Sequence, residues 1–137
     1  MKYEPAELNR YELYAIRLTR VWAHWEILQL KPEMERTERE RHAAEALEVV
    51  RTEATRVSRF ANAPDVVGIQ GLLETEQALL DPAGIDGAKA GSARRYLEAA
   101  IRGAREKLKK KLSPNSRKSN LELIAKCEEA QRRLGIM

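Results

Sequence analysis

Apolar residues recur along the chain at helical spacing, in five runs separated by breaks rich in proline, glycine or asparagine. At roughly 100° per residue, Leu8, Tyr11, Tyr14, Ala15, Leu18, Val21, Trp22, Trp25 and Leu28 share one broad face. They predict a first helix from about Pro5 to Leu30, with Pro5 tolerated in its first turn. Ile16, Ala23 and Ile27 form a second, weaker stripe, which implies contact with more than one neighbour. Lys31-Pro32 ends the run, because proline restricts its predecessor and has no amide proton to donate. A second helix is expected from about Glu33 to Ala61. Its first half is polar. Its second half sets Ala43, Leu47, Val50, Ala54, Val57 and Ala61 at spacings of four and three, an alanine-rich seam suited to close packing. Glu35 with Arg39, and Glu38 with His42, are expected i,i+4 pairs.

Asn62-Ala63-Pro64-Asp65 is a break, after which Val66, Val67, Ile69, Leu72, Leu73, Leu79 and Leu80 predict a third helix over about Asp65 to Leu80. Gly68 and Gly71 lower its helix propensity by about 1 kcal/mol each relative to alanine, so their presence points to a closely crossing partner. Residues 81–87 read as a turn region. A fourth helix is expected from Lys89 or Ser92 to about Leu112, burying Ala90, Ala93, Leu97, Ala100, Ile101, Ala104 and Leu108. Ser113-Pro114-Asn115-Ser116 reads as a loop. The last helix is expected from Ser119 or Asn120, either of which can cap it, to Leu134. Its face holds Leu123, Cys127, Ala130 and Leu134, and Gly135 is positioned as a left-handed C-terminal cap.

These elements predict an all-α fold in a single domain spanning residues 1–137: a long antiparallel helical hairpin over 5–61, then three shorter helices over 65–134 carrying a basic face. An apolar content of 43% with only 5% aromatic residues favours helices over a sheet. The first two predicted helices would be about 39 and 43 Å long, which is long for a 137-residue globule. They are therefore expected either to project or to pack on copies of themselves, and a homo-oligomer is the preferred reading. The polar Glu33–His42 segment would be the projecting end. Tyr11, Leu18, Trp22, Trp25, Leu47, Val50 and Val57 are the expected core or oligomer contacts. No run approaches the roughly 20 apolar residues of a membrane span, and MKYEPAELNR is unlike a signal peptide. The expected setting is the cytoplasm or the inside of a cellular or viral assembly. Cys127 is the one cysteine, so it has no disulfide partner within the chain and reads as a small core residue.

Charge sharpens the picture. Residues 1–80 carry 11 basic and 14 acidic side chains, whereas Ala88–Lys118 carries 11 basic and 2 acidic ones. Arg94, Arg95, Arg102, Arg105 and Lys109 fall within about 100° of one another on the fourth predicted helix. Lys107, Lys110, Lys111, Arg117 and Lys118 extend the charge past its end. Such a surface suits a DNA or RNA phosphate backbone, an acidic protein surface including the chain's own first half, or plain solvent. The leading expectation is a non-enzymatic helical assembly protein whose Arg94, Arg95, Arg102, Arg105, Lys109, Lys110 and Lys111 contact nucleic acid. The alternative is an adaptor subunit that binds acidic protein partners. Membrane binding is disfavoured, because the apolar stripe beside these cations lacks Trp and Phe and is needed for the core.

The chemical inventory is thin. There is no zinc-binding cysteine or histidine pattern, no repeated Glu-x-x-His unit and no glycine-rich phosphate loop, so no metal, cofactor or catalytic residue is expected. One enzymatic element stands out: Arg36 and His42, separated by five residues, where the arginine could hold a phosphate while the histidine moves a proton. That spacing resembles the arginine–histidine motif of the HEPN ribonuclease family. The resemblance covers residues 36–42 only, and it implies a small helical ribonuclease as a third reading.

Overall fold

The structure, a computed structural model, describes residues 5–56 and 63–135, with side chains described for 16–55 and 63–135. The chain forms α1 (Pro5–Leu30), α2 (Arg36–Arg56), α3 (Pro64–Leu80), a 3₁₀ turn (Gly84–Asp86), α4 (Ala88–Leu108) and α5 (Pro114–Arg133). Among the described residues there is no strand, as the periodicity requires. Helix α1 spans the expected range. Helix α2 starts at Arg36 rather than Glu33, because Lys31–Glu35 forms a turn in which the Met34 amide bonds the Lys31 carbonyl at 3.1 Å. The expected Val57 and Ala61 seam positions lie outside the described residues, and the Tyr11 side chain lies outside the described side chains.

Two further boundaries differ. Helix α5 begins at Pro114, five residues before the expected cap at Ser119. Ser113 is the actual N-cap: its hydroxyl accepts the Ser116 amide at 3.2 Å. Pro114 sits where a missing N–H costs nothing. The Ser-Pro-Asn-Ser signal is therefore a helix start and not a loop. Helix α4 ends at Leu108, so Lys109–Leu112 belong to the turn into α5.

Helix α3 is the centre of the bundle, and it packs against each of the other four helices. Val66, Ile69, Leu72, Leu73 and Ala78 are buried on it. Around it lie Ala43, Ala46, Leu47 and Val50 of α2, the predicted stripe of α4 from Ala90 to Ala104 (Leu108, its expected last member, is only half-buried), and Leu123, Cys127 and Ala130 of α5. The α1–α2 hairpin is present, but it leans on α3 instead of standing apart. Leu18, Trp22 and Trp25 pack against the core while remaining partly exposed, so the tryptophans are not the fully enclosed anchors expected of a core.

The two glycines of α3 serve the close crossing. A Cβ built on Gly71 would stand 3.0 Å from the backbone nitrogen of Leu97, and one on Gly68 would stand 2.8 Å from Leu123 Cδ1. Backbone cannot yield as a side-chain tip can, so Gly71 is the stricter position. At the other end, Gly135 takes φ +80° and its amide bonds the Arg132 carbonyl at 3.0 Å, the left-handed stop anticipated for α5. Gly71→Ala should destabilise the protein by about 1–3 kcal/mol in urea unfolding, through overpacking against α4. Gly91→Ala, whose new Cβ would find only Arg95 Nη1 at 3.9 Å, should be neutral or stabilising by up to about 1 kcal/mol.

Candidate functional site

Most arginines of this chain do structural work first. The last carbonyls of a helix have no partner within it, and here arginines from neighbouring segments supply donors. Arg39 of α2 donates to the carbonyls of Leu28 at 3.0 Å and Lys31 at 2.8 Å, closing α1. Arg36 donates to the Leu80 carbonyl at the end of α3. Arg117 reaches Leu108 at the end of α4 at 3.3 Å, and Arg94 reaches Leu134 beyond α5 at 3.0 Å.

Two carboxylates are buried on α3, and both gather cations. Glu76 is met by Arg39 Nη2 at 3.2 Å, by Gln29 Nε2 at 3.3 Å and by Arg133 Nη1 at 2.7 Å, so α1, α2 and α5 converge on one side chain. Glu74 accepts a hydrogen bond from the Ser92 hydroxyl and lies 3.8 Å from Arg51 Nη2. Burial pushes the Glu74 carboxyl above its ordinary value, opposed by Ser92 and by the charges of Arg51 and Arg95. Between α1 and α2, the partly buried Arg17 bridges to the buried Glu53.

The seven cations singled out from sequence do not form one surface. Arg94 is half-buried and committed to the Leu134 carbonyl. Arg102, Arg105 and Lys109 do lie together, but Glu98, Glu128 and Glu106 pair with them at 3.3, 3.2 and 2.9 Å. That strip is nearly neutral. Arg95 lines a different groove, between α2, α3 and α4. Lys110 and Lys111 are exposed and have no ion pair among the described residues. With Lys107 and Lys118, equally exposed and unpaired, they crowd the α4–α5 turn. Residues 107–118 hold six basic side chains and no acidic one, all six exposed. The first amides of α5, with the positive end of its dipole, open at the same tip.

Beside the tip, a cavity of about 540 Å³ runs between α1 and α5, lined by Trp22, Lys107, Ser116 and Lys126 among others. Trp22 and Trp25 meet edge to face, 5.9 Å between ring centres. Lys126 Nζ sits over both rings, at 5.1 and 5.8 Å.

The arginine–histidine pair is not assembled. Six helical positions place Arg36 and His42 about 120° apart around α2. Arg36 binds Glu40 at 3.0 Å and the Leu80 carbonyl, while His42 Nδ1 faces His24 Nδ1 of α1 at 3.0 Å. One of those rings must donate and the other accept. The expected Glu35–Arg39 and Glu38–His42 pairs are replaced by Arg39–Glu76 and by this histidine contact. The polar start of α2 is accordingly tied inward and does not project. Cys127 is fully buried, and burial pushes its thiol up to about 12, so it is inert at neutral pH. Among the described residues, no cluster of three metal-ligating side chains occurs, and no helix is long and apolar enough to cross a membrane.

Sequence reasoning missed the groove around Arg95 and the cap at Ser113. The available signal for the first was the pair of polar residues Gln70 and Glu74, four apart on a helix whose first half is otherwise largely apolar.

Arg39→Ala should cost about 3 kcal/mol or more in urea unfolding, because it strands part of the buried Glu76 charge and reopens the end of α1. Arg102→Ala should change stability by no more than about 0.5 kcal/mol. The raised Glu74 carboxyl favours the protonated native form. Stability from this group is complete below its ordinary value of 4.5 and falls as pH rises through the native value. Glu74→Gln should remove that part of the pH dependence of the unfolding midpoint.

No protein-family model, curated protein or solved structure matches the chain.

Proposed function

We propose that this protein is a non-enzymatic helical assembly protein that binds the phosphate backbone of nucleic acid, and that the contact surface is the α4–α5 tip. The single observation behind this reading is the exposed run from Lys107 to Lys118 at the open end of a helix, six cations of which only Lys109 is paired with a carboxylate. Lysines are strongly hydrated point charges on flexible stems, suited to sequence-independent phosphate contact. The arginine face of α4, the first choice from sequence, contributes little because glutamates of α4 and α5 already neutralise it. An adaptor that meets an acidic protein would use the same tip.

Self-association belongs to this reading. Ile16 is 50% exposed on α1, and Trp22 and Trp25 are partly exposed on the same helix, an apolar surface available to a second copy.

Fluorescence anisotropy with a labelled oligonucleotide across a salt series tests the proposal. The wild type should lose affinity steeply with salt, and Lys110→Ala with Lys111→Ala should reduce the magnitude of that slope by about 2. Light scattering with and without nucleic acid reads the assembly state in the same samples. A wild type that binds no oligonucleotide at low salt removes the nucleic-acid reading, and retained binding to an acidic protein surface would then favour the adaptor.

A further inference from the structure

A second charged feature lies away from the tip. Between α2, α3 and α4 runs a groove of about 660 Å³, lined by Arg51, Thr55, Gln70, Ser92, Arg95 and Tyr96 together with small apolar side chains. That volume falls within the range of small-molecule sites, roughly 300–1,000 Å³.

Three observations say what it would hold. First, the charges do not balance. Arg51 from α2 and Arg95 from α4 both act on Glu74, whose carboxylate is their common counter-charge. The lining includes no acidic residue, and Glu74 is 4% exposed behind it. Two guanidiniums thus share one buried carboxylate, and burial works against the ionisation of that carboxylate. Second, Arg95 makes no ion pair or hydrogen bond among the described residues although it stands beside the groove. Third, Gln70 lines the groove, and its amide makes no hydrogen bond to another described residue, so it is available to a ligand there.

The arrangement asks for an anion with several acceptor oxygens, reachable from opposite walls. We propose that the groove binds a terminal phosphate group, with Arg51 and Arg95 clamping its oxygens, Gln70 donating from the floor, and Tyr96 and Ser92 at the edge. A phosphate monoester fits better than a carboxylate. It is close to a dianion, matching two guanidiniums, and its three free oxygens accommodate two planar forks at once. The groove exceeds the size of a bare phosphate, which leaves room for the esterified group along Tyr96 and the apolar wall. Glu74 lies behind the clamp and holds Ser92 and Arg51 in place. The phosphate could belong to a small ester or to the 5′ end of a nucleic acid, and these share the same chemistry.

Isothermal titration at about 150 mM salt, where exposed charges are largely screened, decides the matter. The probes are inorganic phosphate, adenosine 5′-monophosphate, adenosine, and one oligonucleotide with and without a 5′-phosphate. Phosphate and the monophosphate should bind and adenosine should not. Arg95→Ala should weaken monophosphate binding about tenfold or more while the variant stays folded by circular dichroism, since it loses the charge acting on Glu74 but no hydrogen bond or ion pair. Lys110→Ala with Lys111→Ala should leave it intact. Competition with the monophosphate by the 5′-phosphorylated oligonucleotide alone assigns the site to a nucleic-acid end; failure of both oligonucleotides to compete assigns it to a small ester. Either result upholds the groove. The inference is overturned if phosphate and monophosphate show no binding up to about 10 mM, if Arg95→Ala binds like the wild type, or if only the lysine variant loses binding. Loss of oligonucleotide affinity in the lysine variant bears on the tip alone, so the two readings fail separately.

Discussion

The buried carboxylate of Glu76 is the constraint around which the bundle is organised. An ionised carboxylate inside an apolar helix layer is tolerable only when it is closely paired and hydrogen-bonded. Glu76 meets that requirement by drawing Arg39, Gln29 and Arg133 from three different helices. Such a node adds little net stability compared with a well-packed apolar substitute, but it penalises any arrangement in which one partner is out of place. Apolar seams of alanine and leucine allow neighbouring registers. A charge that needs three particular donors does not. Arg39 couples the node to the end of α1 by donating to the Leu28 and Lys31 carbonyls as well.

The same economy explains the uneven availability of positive charge. The chain has 16 arginines, but those with a helix end or a glutamate nearby are committed to it. Lysine dominates where the backbone turns at the α4–α5 tip, and along 107–118, which holds no acidic residue, Lys109 alone pairs with a carboxylate, that of Glu106. Net charge along a sequence therefore overstates the surface open to a partner, because it counts structural and exposed cations alike. The distinction depends on which carbonyls and carboxylates lie within one side-chain length, a property of the fold.

What was legible in the sequence follows from local physics. Helix α1, the stripe of α4, the Leu123–Cys127–Ala130 face of α5 and the Gly135 stop all emerge from periodicity and capping chemistry, and the glycines of α3 announced a close crossing. Ser113-Pro114 was misread because proline breaks a helix in its interior and starts one at its first position, and only the serine before it separates the two cases. The burial of Glu74 and Glu76 was not legible. A glutamate on a helix reads as solvent-facing until the partners that neutralise it are known, and here those partners lie 18 to 57 residues away in the chain. For the same reason the groove of Arg51, Gln70 and Arg95 could not be assembled from spacing alone.

The connections between successive helices carry a consequence for how the molecule forms. Helices α3 and α4 are joined through the seven residues 81–87, and α4 and α5 through the five residues 109–113. Their packing requires only short loop closures, whose entropic cost is small. Most helix pairs in extensive contact are also sequence neighbours, the topology associated with rapid acquisition of native structure. The glycine-lined crossing of α3 and α4 needs only one such short closure, whereas the Glu76 node needs α1, α2 and α5 in place as well.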